Sequence, residues 1–226
     1  MDIIQKILTA DNIIFMLKGA GYSLALAVGA LAFGIVLGTL GATAKISKSK
    51  ILRLLGSCYV ELFRGTPMLL QILFFYLGVP VIYQSFTGSP LRANPYIVGL
   101  IALSFNSGAY TTELIRSGII GVDKGQWEAS ETLGINYMQM MRYVILPQAF
   151  KRVVPPLVSE FITLIKDSSL ISTIGAAELL YSAQVLGARH YNYLVPLISA
   201  SVMYLVLTVT VSYFARRIER SLAISD

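Results

Sequence analysis

The sequence predicts an all-α, polytopic membrane protein: a single transmembrane domain over residues 1–226, with about five transmembrane helices and one soluble-looking loop. Hydrophobic residues make up 55% of the chain and charged residues only 13%, with a mean hydropathy of +0.69, whereas about a quarter of a soluble domain is charged. Uncharged runs able to cross a hydrocarbon core of about 30 Å, which takes roughly 20 helical residues, recur along the chain. Cationic residues gather on alternate connections between those runs.

Gly19 to Ala44, between Lys18 and Lys45, is the first predicted span. It holds Gly29, Gly34, Gly38 and Gly41, and the GxxxG spacing of Gly34 and Gly38 admits a close neighbour, either a second subunit or another helix of this chain. Met1 to Lys18 carries acidic residues and lacks an apolar core ending in a small-residue cleavage site, so no cleavable signal peptide is read there. Gly65 to Leu91 gives a second span, bent at Pro67 and ending near Tyr83, because Gln84, Thr87, Gly88, Ser89 and Pro90 have turn composition. Ala93 to Thr112 is the third, opening at Asn94-Pro95. Val153 to Ile174 is the fourth, although Glu160, Lys166 and Asp167 interrupt it; alternatively Ser168 to Ala188 dips back into the membrane, broken at Gly175 and Gly187. Tyr191 to Ala215 is the last, closed by Arg216, Arg217 and Arg220.

With five spans, Lys45, Lys48, Lys50 and Arg53, then Arg116, Lys124, Arg142, Lys151 and Arg152, then the C-terminal arginines, share one side. Only Lys6, Lys18, Arg92 and Arg189 fall on the other. The loop and C-terminus are therefore expected in the cytoplasm and the N-terminus outside. The net charge of +6 belongs to a basic face beside anionic membrane lipid and calls for no nucleic acid.

The loop, about residues 121–150, reads as two short helices around Gly134. Asp123 with Gln126, and Asn136 with Gln139, have the spacing of capping pairs. Pro147 lacks the amide that continues a helix, which predicts a stop or kink near Leu146. Tyr137, Met138, Met140, Met141, Tyr143 and Val144 crowd the second helix with adaptable apolar groups. Such a helix docks a partner, lies on the bilayer, or packs under its own bundle.

Glu128-Ala129-Ser130, three residues, Gly134, nine residues, then Val144-Ile145-Leu146-Pro147 resembles the EAA loop of membrane subunits of bacterial binding-protein-dependent ABC importers. The consensus there is EAA, three residues, Gly, nine residues, I-x-L-P; Ser130 replaces an alanine and Val144 the isoleucine. Glu61-Leu62-Phe63-Arg64-Gly65-Thr66-Pro67 and Ile165-Lys166-Asp167-Ser168-Ser169-Leu170 resemble the branch that carries polar amino acids, and the likeness runs roughly from Gly19 to Arg220. The resemblance implies a permease in the bacterial cytoplasmic membrane. Its partners would be two ABC ATPase subunits, a second membrane subunit (a homodimer in the simplest case) and an extracytoplasmic substrate-binding protein. It also implies that Glu128, Ala129, Ser130, Gly134, Met138, Met141, Leu146 and Pro147 form the ATPase-coupling surface, with Glu128 and Gly134 central to docking.

No G-x-x-x-x-G-K-[ST] loop, nucleophile elbow or metal-ligand helix occurs, so the chain reads as a transport subunit and not an enzyme. No cofactor is expected on it; ATP and Mg would sit on the partner ATPase. Cys58 and His190, the sole residues of their kinds, suggest neither disulfide nor metal chemistry. Charges inside a bilayer are costly unless they face protein, water or ligand. Glu160 falls near mid-depth with Thr163 and Asp167 on its helix face, and Gln71, Ser104 and Asn106 are expected at similar depth. These six form the predicted substrate pocket: Glu160 accepts from an ammonium or cationic side chain, and Gln71, Ser104 and Asn106 donate to a carboxylate. The alternative is an internal ion pair of Glu160 with Arg64 or Lys166, or hydrogen bonds that only hold the bundle together. Lys166 faces an outer gate or snorkels, and Glu61 and Arg64 are spaced to pair on one helix face. A cationic amino acid (arginine, lysine or histidine) is the first substrate reading. Glutamine or another neutral polar amino acid is the second, and an ATP-independent secondary transporter the alternative of a different class.

Overall fold

The computed structural model describes residues 3–223, with side chains from 4 to 217; the side chain of Arg220 lies outside the described residues. A short helix α1 (Ile3–Ile7) precedes α2 (Ala10–Ile46), a 37-residue rod that starts well before Gly19 and takes Lys18 into its exposed face. The Thr9 hydroxyl caps it by accepting from the Asn12 N–H.

The segment after α2 forms a helix that hydropathy alone does not reveal, α3 (Lys50–Arg64). It is capped by Ser49 and folds back along α2, with Gly56 against Lys45 and Ala44. Its Tyr59 hydroxyl donates to the Phe105 carbonyl at 2.7 Å. Gly65 to Pro67 break the chain, and α4 (Met68–Leu73) then continues through a π-turn, Phe74–Gly78, into α5 (Val79–Thr87). This rod outruns the predicted end at Tyr83 by one turn, because Ser85 and Thr87 return their hydroxyls to the carbonyls of Val81 and Tyr83. Gly88, at φ 70°, closes it. The π-turn lies just ahead of Pro80: the Val79 N–H reaches back to Phe74 O, and the wider turn accommodates the ring and the missing donor.

Helix α6 (Pro95–Ile120) starts at the Asn94 cap as predicted and runs two turns past Thr112. It lies parallel to α2, packed along a seam of small residues. A Cβ at Gly34 would stand 2.8 Å from Ser107 Oγ, and one at Gly38 would stand 2.5 Å from Thr111 Cγ2. The GxxxG pair is thus spent within the subunit.

The loop holds α7 (Lys124–Thr132) and α8 (Tyr137–Met140). Asp123 caps α7 by accepting from Gly125 N–H at 2.7 Å, but Gln126 does not complete the pair: its side chain turns to Gln148. Asn136 caps α8 through the Gln139 N–H at 3.0 Å. Of the stop or kink predicted near Leu146, the stop does not occur. A second π-turn, Met141–Ile145, leads straight into α9 (Leu146–Asp167), with the Leu146 N–H on Met141 O, so Pro147 is absorbed as Pro80 is.

Helix α9 tightens into a 3-10 turn, Ser168–Ile174, that ends where predicted, at Gly175 with φ 84°. The chain resumes, bent by 48°, as α10 (Leu179–His190). The break is therefore at Gly175; Gly187 lies inside α10 against the Tyr193 ring. Helix α11 (Leu194–Ala223) completes the bundle. By length and apolarity, three helical rods of the described residues can cross a membrane (Ala10–Ile46, Met68–Thr87, Leu194–Arg217), or four with the bent pair Tyr137–Ile174 and Leu179–His190. Helix α6 is long enough but more polar and packs among them, so three to four rods meet the criterion where about five spans were predicted.

Glu178, which the sequence reading did not single out, is fully buried and ties three helices. Its carboxylate caps α10 through the N–H groups of Leu180 (2.9 Å) and Tyr181 (2.7 Å), and accepts from Ser23 of α2 (3.2 Å) and Tyr204 of α11 (2.6 Å). Glu178→Ala removes the cap and takes away the acceptor of the Ser23 and Tyr204 hydroxyls, a loss of ~3 kcal/mol. The purified protein should melt measurably lower in detergent, and Glu178→Gln, which keeps an acceptor, should fall between.

Candidate functional site

Four of the six predicted pocket residues line one cavity of about 250 Å³: Asn106 from α6 and Glu160, Thr163 and Asp167 from α9, joined by Met68 and Tyr110. The face shared by residues 160, 163 and 167 follows from helical spacing, and α6 presents Asn106 and Tyr110 one turn apart. Glu160 and Asp167 are half-buried. Neither has a basic partner within salt-bridge distance among the described residues, so the alternative pairing of Glu160 with Arg64 or Lys166 does not form; the ion pairs found are Glu113 with Lys45 and with Arg116.

Gln71 sits behind this cavity. Its Nε2 donates to Phe63 O (2.8 Å) and to Thr66 O and Oγ1 (3.0 and 2.9 Å), stitching the backbone break between α3 and α4. Asn106 Nδ2 donates to Phe63 O (3.1 Å) and to Gln71 Oε1 (3.0 Å). The amide hydrogens expected to meet a ligand carboxylate are thus engaged. Ser104 lies on another face of α6: its hydroxyl returns to Leu100 O at 2.6 Å, and its neighbours are Phe33, Val36 and Phe105. Lys166 also points away, into a groove with Ser169, Ser201, Tyr204 and Thr208. Glu61 and Arg64 do not pair; Arg64 stacks over Tyr110 instead, 5.1 Å from the ring centroid.

On the loop, Leu133 N–H bonds Ala129 O, Gly134 N–H bonds Glu131 O and Ile135 N–H bonds Ser130 O. This is a Schellman closure of α7, and it places Gly134 at φ 70°, a conformation suited to glycine. Ser130 is buried and returns its hydroxyl to Gln126 O at 2.7 Å. Glu128, Ala129 and Pro147 are exposed. Met138 is 73% exposed, with Leu133 at 76% and Tyr143 at 69%, a concentration of apolar surface on a polar segment. Met141 instead packs inward with Trp127, Ile135 and Val144 on a small core of Val122, Met140, Ile145 and Ala149, while Leu146 stays 45% exposed. Gln148 Nε2 to Gln126 Oε1 (3.3 Å) and Arg152 to Gly121 O fasten α9 to the loop.

Residues 13–224 match the family described as binding-protein-dependent transport system inner membrane component. The chain belongs to this family. It is 40% identical, over 96% of both chains, to a putative glutamine transport system permease protein of Rickettsia bellii. It is 37% identical, over 96% of this chain and 97% of the relative, to the arginine transport system permease protein of Bacillus subtilis. A crystal structure of an amino acid ABC transporter with histidines contains a chain that superposes with a TM-score of 0.88 at 35% identity, covering 98% of this chain and 99% of that one. Membership makes this chain a multi-pass transport permease of the inner membrane, without catalytic function of its own, that works with a separate ATPase and a substrate-binding protein. Met68 and Tyr110 line the cavity beside the predicted residues, and Arg64 lies against Tyr110; the sequence reading assigned none of the three to the pocket. Tyr110 could have been found one turn beyond Asn106, whereas Arg64 required the fold. Gln71→Leu should leave the Thr66 carbonyl without its side-chain donor and the Asn106 amide without its Gln71 acceptor, at a cost of about 1–3 kcal/mol, seen as a lower melting temperature of the purified protein in detergent.

Proposed function

We propose that this permease belongs to an ATP-driven amino acid importer and passes a polar amino acid, cationic in the first instance, through the cavity at Glu160 and Asp167. The observation that carries the reading is a pair of carboxylates inside a membrane bundle with no basic partner among the described residues. An ammonium, guanidinium or imidazolium supplies the missing charge. Amino acids named for the relatives, glutamine and arginine, share an α-ammonium and differ in side-chain charge, which supports the class and favours no single member.

The exposed apolar surface of the loop, with Glu128 beside it, supports docking of the ATPase there, two per complex, with Mg-ATP on those subunits. A second membrane subunit, in the simplest case a copy of this chain, completes the path, and an extracytoplasmic binding protein delivers the cargo. The parallel run of α2 and α6, together with the cationic loops, supports an N-terminus outside and a C-terminus in the cytoplasm. Closure of the ATPases on ATP would swing the loop as a rigid body. Because α9 leaves the loop without a break, the stroke reaches Glu160 about 21 Å away, at 1.5 Å per residue from Leu146.

In liposomes holding the full transporter, Glu160→Gln should lower arginine uptake about tenfold or more, the cost of losing a charge-assisted bond; unchanged uptake contradicts the cavity reading. Gly134→Asp, which puts a side chain at a positive φ, should abolish co-purification of the ATPase in mild detergent. Retention of the ATPase contradicts the docking reading.

A further inference from the structure

The cavity offers carboxylates to an ammonium, but every amino acid also carries a carboxylate, and the amides nearest to hand are spent. Both hydrogens of Asn106 Nδ2 and those of Gln71 Nε2 go to the protein's own acceptors. Thr163 donates to Ser159 O at 3.1 Å. One cationic group stands at the rim. Arg64 is exposed, and it lies against the ring of Tyr110, which lines the cavity. The residue before it, Phe63, provides the carbonyl that holds Asn106 and Gln71, and Met68, one turn later, lines the cavity too. Among the described residues no carboxylate lies within salt-bridge distance of Arg64. The guanidinium carbon lies over the Tyr110 ring, a contact that consumes none of the N–H donors, and the Arg64 fork is matched to a planar anion.

We infer that Arg64 receives the α-carboxylate of the cargo, with Tyr110 orienting the guanidinium, so that a zwitterionic head is held between Arg64 on α3 and the carboxylates of α9. The inference rests on the reading of this cavity as the substrate site. It assigns a job that neither amide can do, and it makes the free carboxylate, not the side chain, the feature common to all cargo.

The test is equilibrium binding to the purified permease–ATPase complex in detergent, without the binding protein, of labelled arginine and glutamine and of their α-carboxamides. Wild type should bind each free acid more tightly than its amide. In Arg64→Gln, affinity for the acids should fall ~10- to 100-fold to the level of the amides while affinity for the amides stays put, and Arg64→Lys should recover part of the difference. Equal loss for acid and amide in Arg64→Gln would make Arg64 a structural brace and overturn the inference, as would no loss at all. If wild type binds neither form, or if Glu160→Gln leaves both forms bound as before, the cavity reading itself falls.

Discussion

The seam between α2 and α6 is the constraint on which the site depends. Gly34 and Gly38 let α6 approach until Ser107 and Thr111 lie where side chains of α2 would otherwise be. That contact fixes both the height and the rotation of α6. With residues 107 and 111 committed to α2, Asn106 and Tyr110, one position earlier and about 100° round the helix, are turned toward α9 and the cavity. A bulky residue in the seam would displace the site without touching it.

A second constraint concerns continuity. Prolines at positions 80 and 147 would ordinarily break helices, yet each follows a π-turn that takes up the missing donor and the bulk of the ring. The loop is fastened to the start of α9 through its own small core and through Gln126 and Gln148. A continuous helical path, with Pro155 and Pro156 inside it, therefore connects exposed surface to cavity carboxylates, which is what a subunit without a nucleotide site needs in order to use another protein's energy.

Much of this was legible in the sequence. Uncharged runs located the rods, Asn94 and Asn136 announced helix starts, and the spacing of residues 160, 163 and 167 put three polar groups on one face. Helix α3 was not legible, because Lys50, Arg53, Glu61 and Arg64 break the apolar run although its folded form packs on α2 through Gly56. Ser104 shares the depth of Asn106 but not its face; two residues on a helix differ by roughly 200°, so depth alone grouped residues that rotation separates. Glu178 was invisible for a different reason. Its burial is tolerable only through hydroxyls 155 and 26 residues away, and no local pattern reveals such partners.

Central to the whole account is the place where cargo rests. Cryo-electron microscopy of the complete transporter with a bound amino acid tests it most directly. Ligand density is predicted in the space bounded by Asn106, Tyr110, Glu160, Thr163 and Asp167, with its carboxylate toward Arg64. Density confined to another cavity of the bundle, with Glu160 and Asp167 paired to basic residues of a neighbouring subunit, would contradict it.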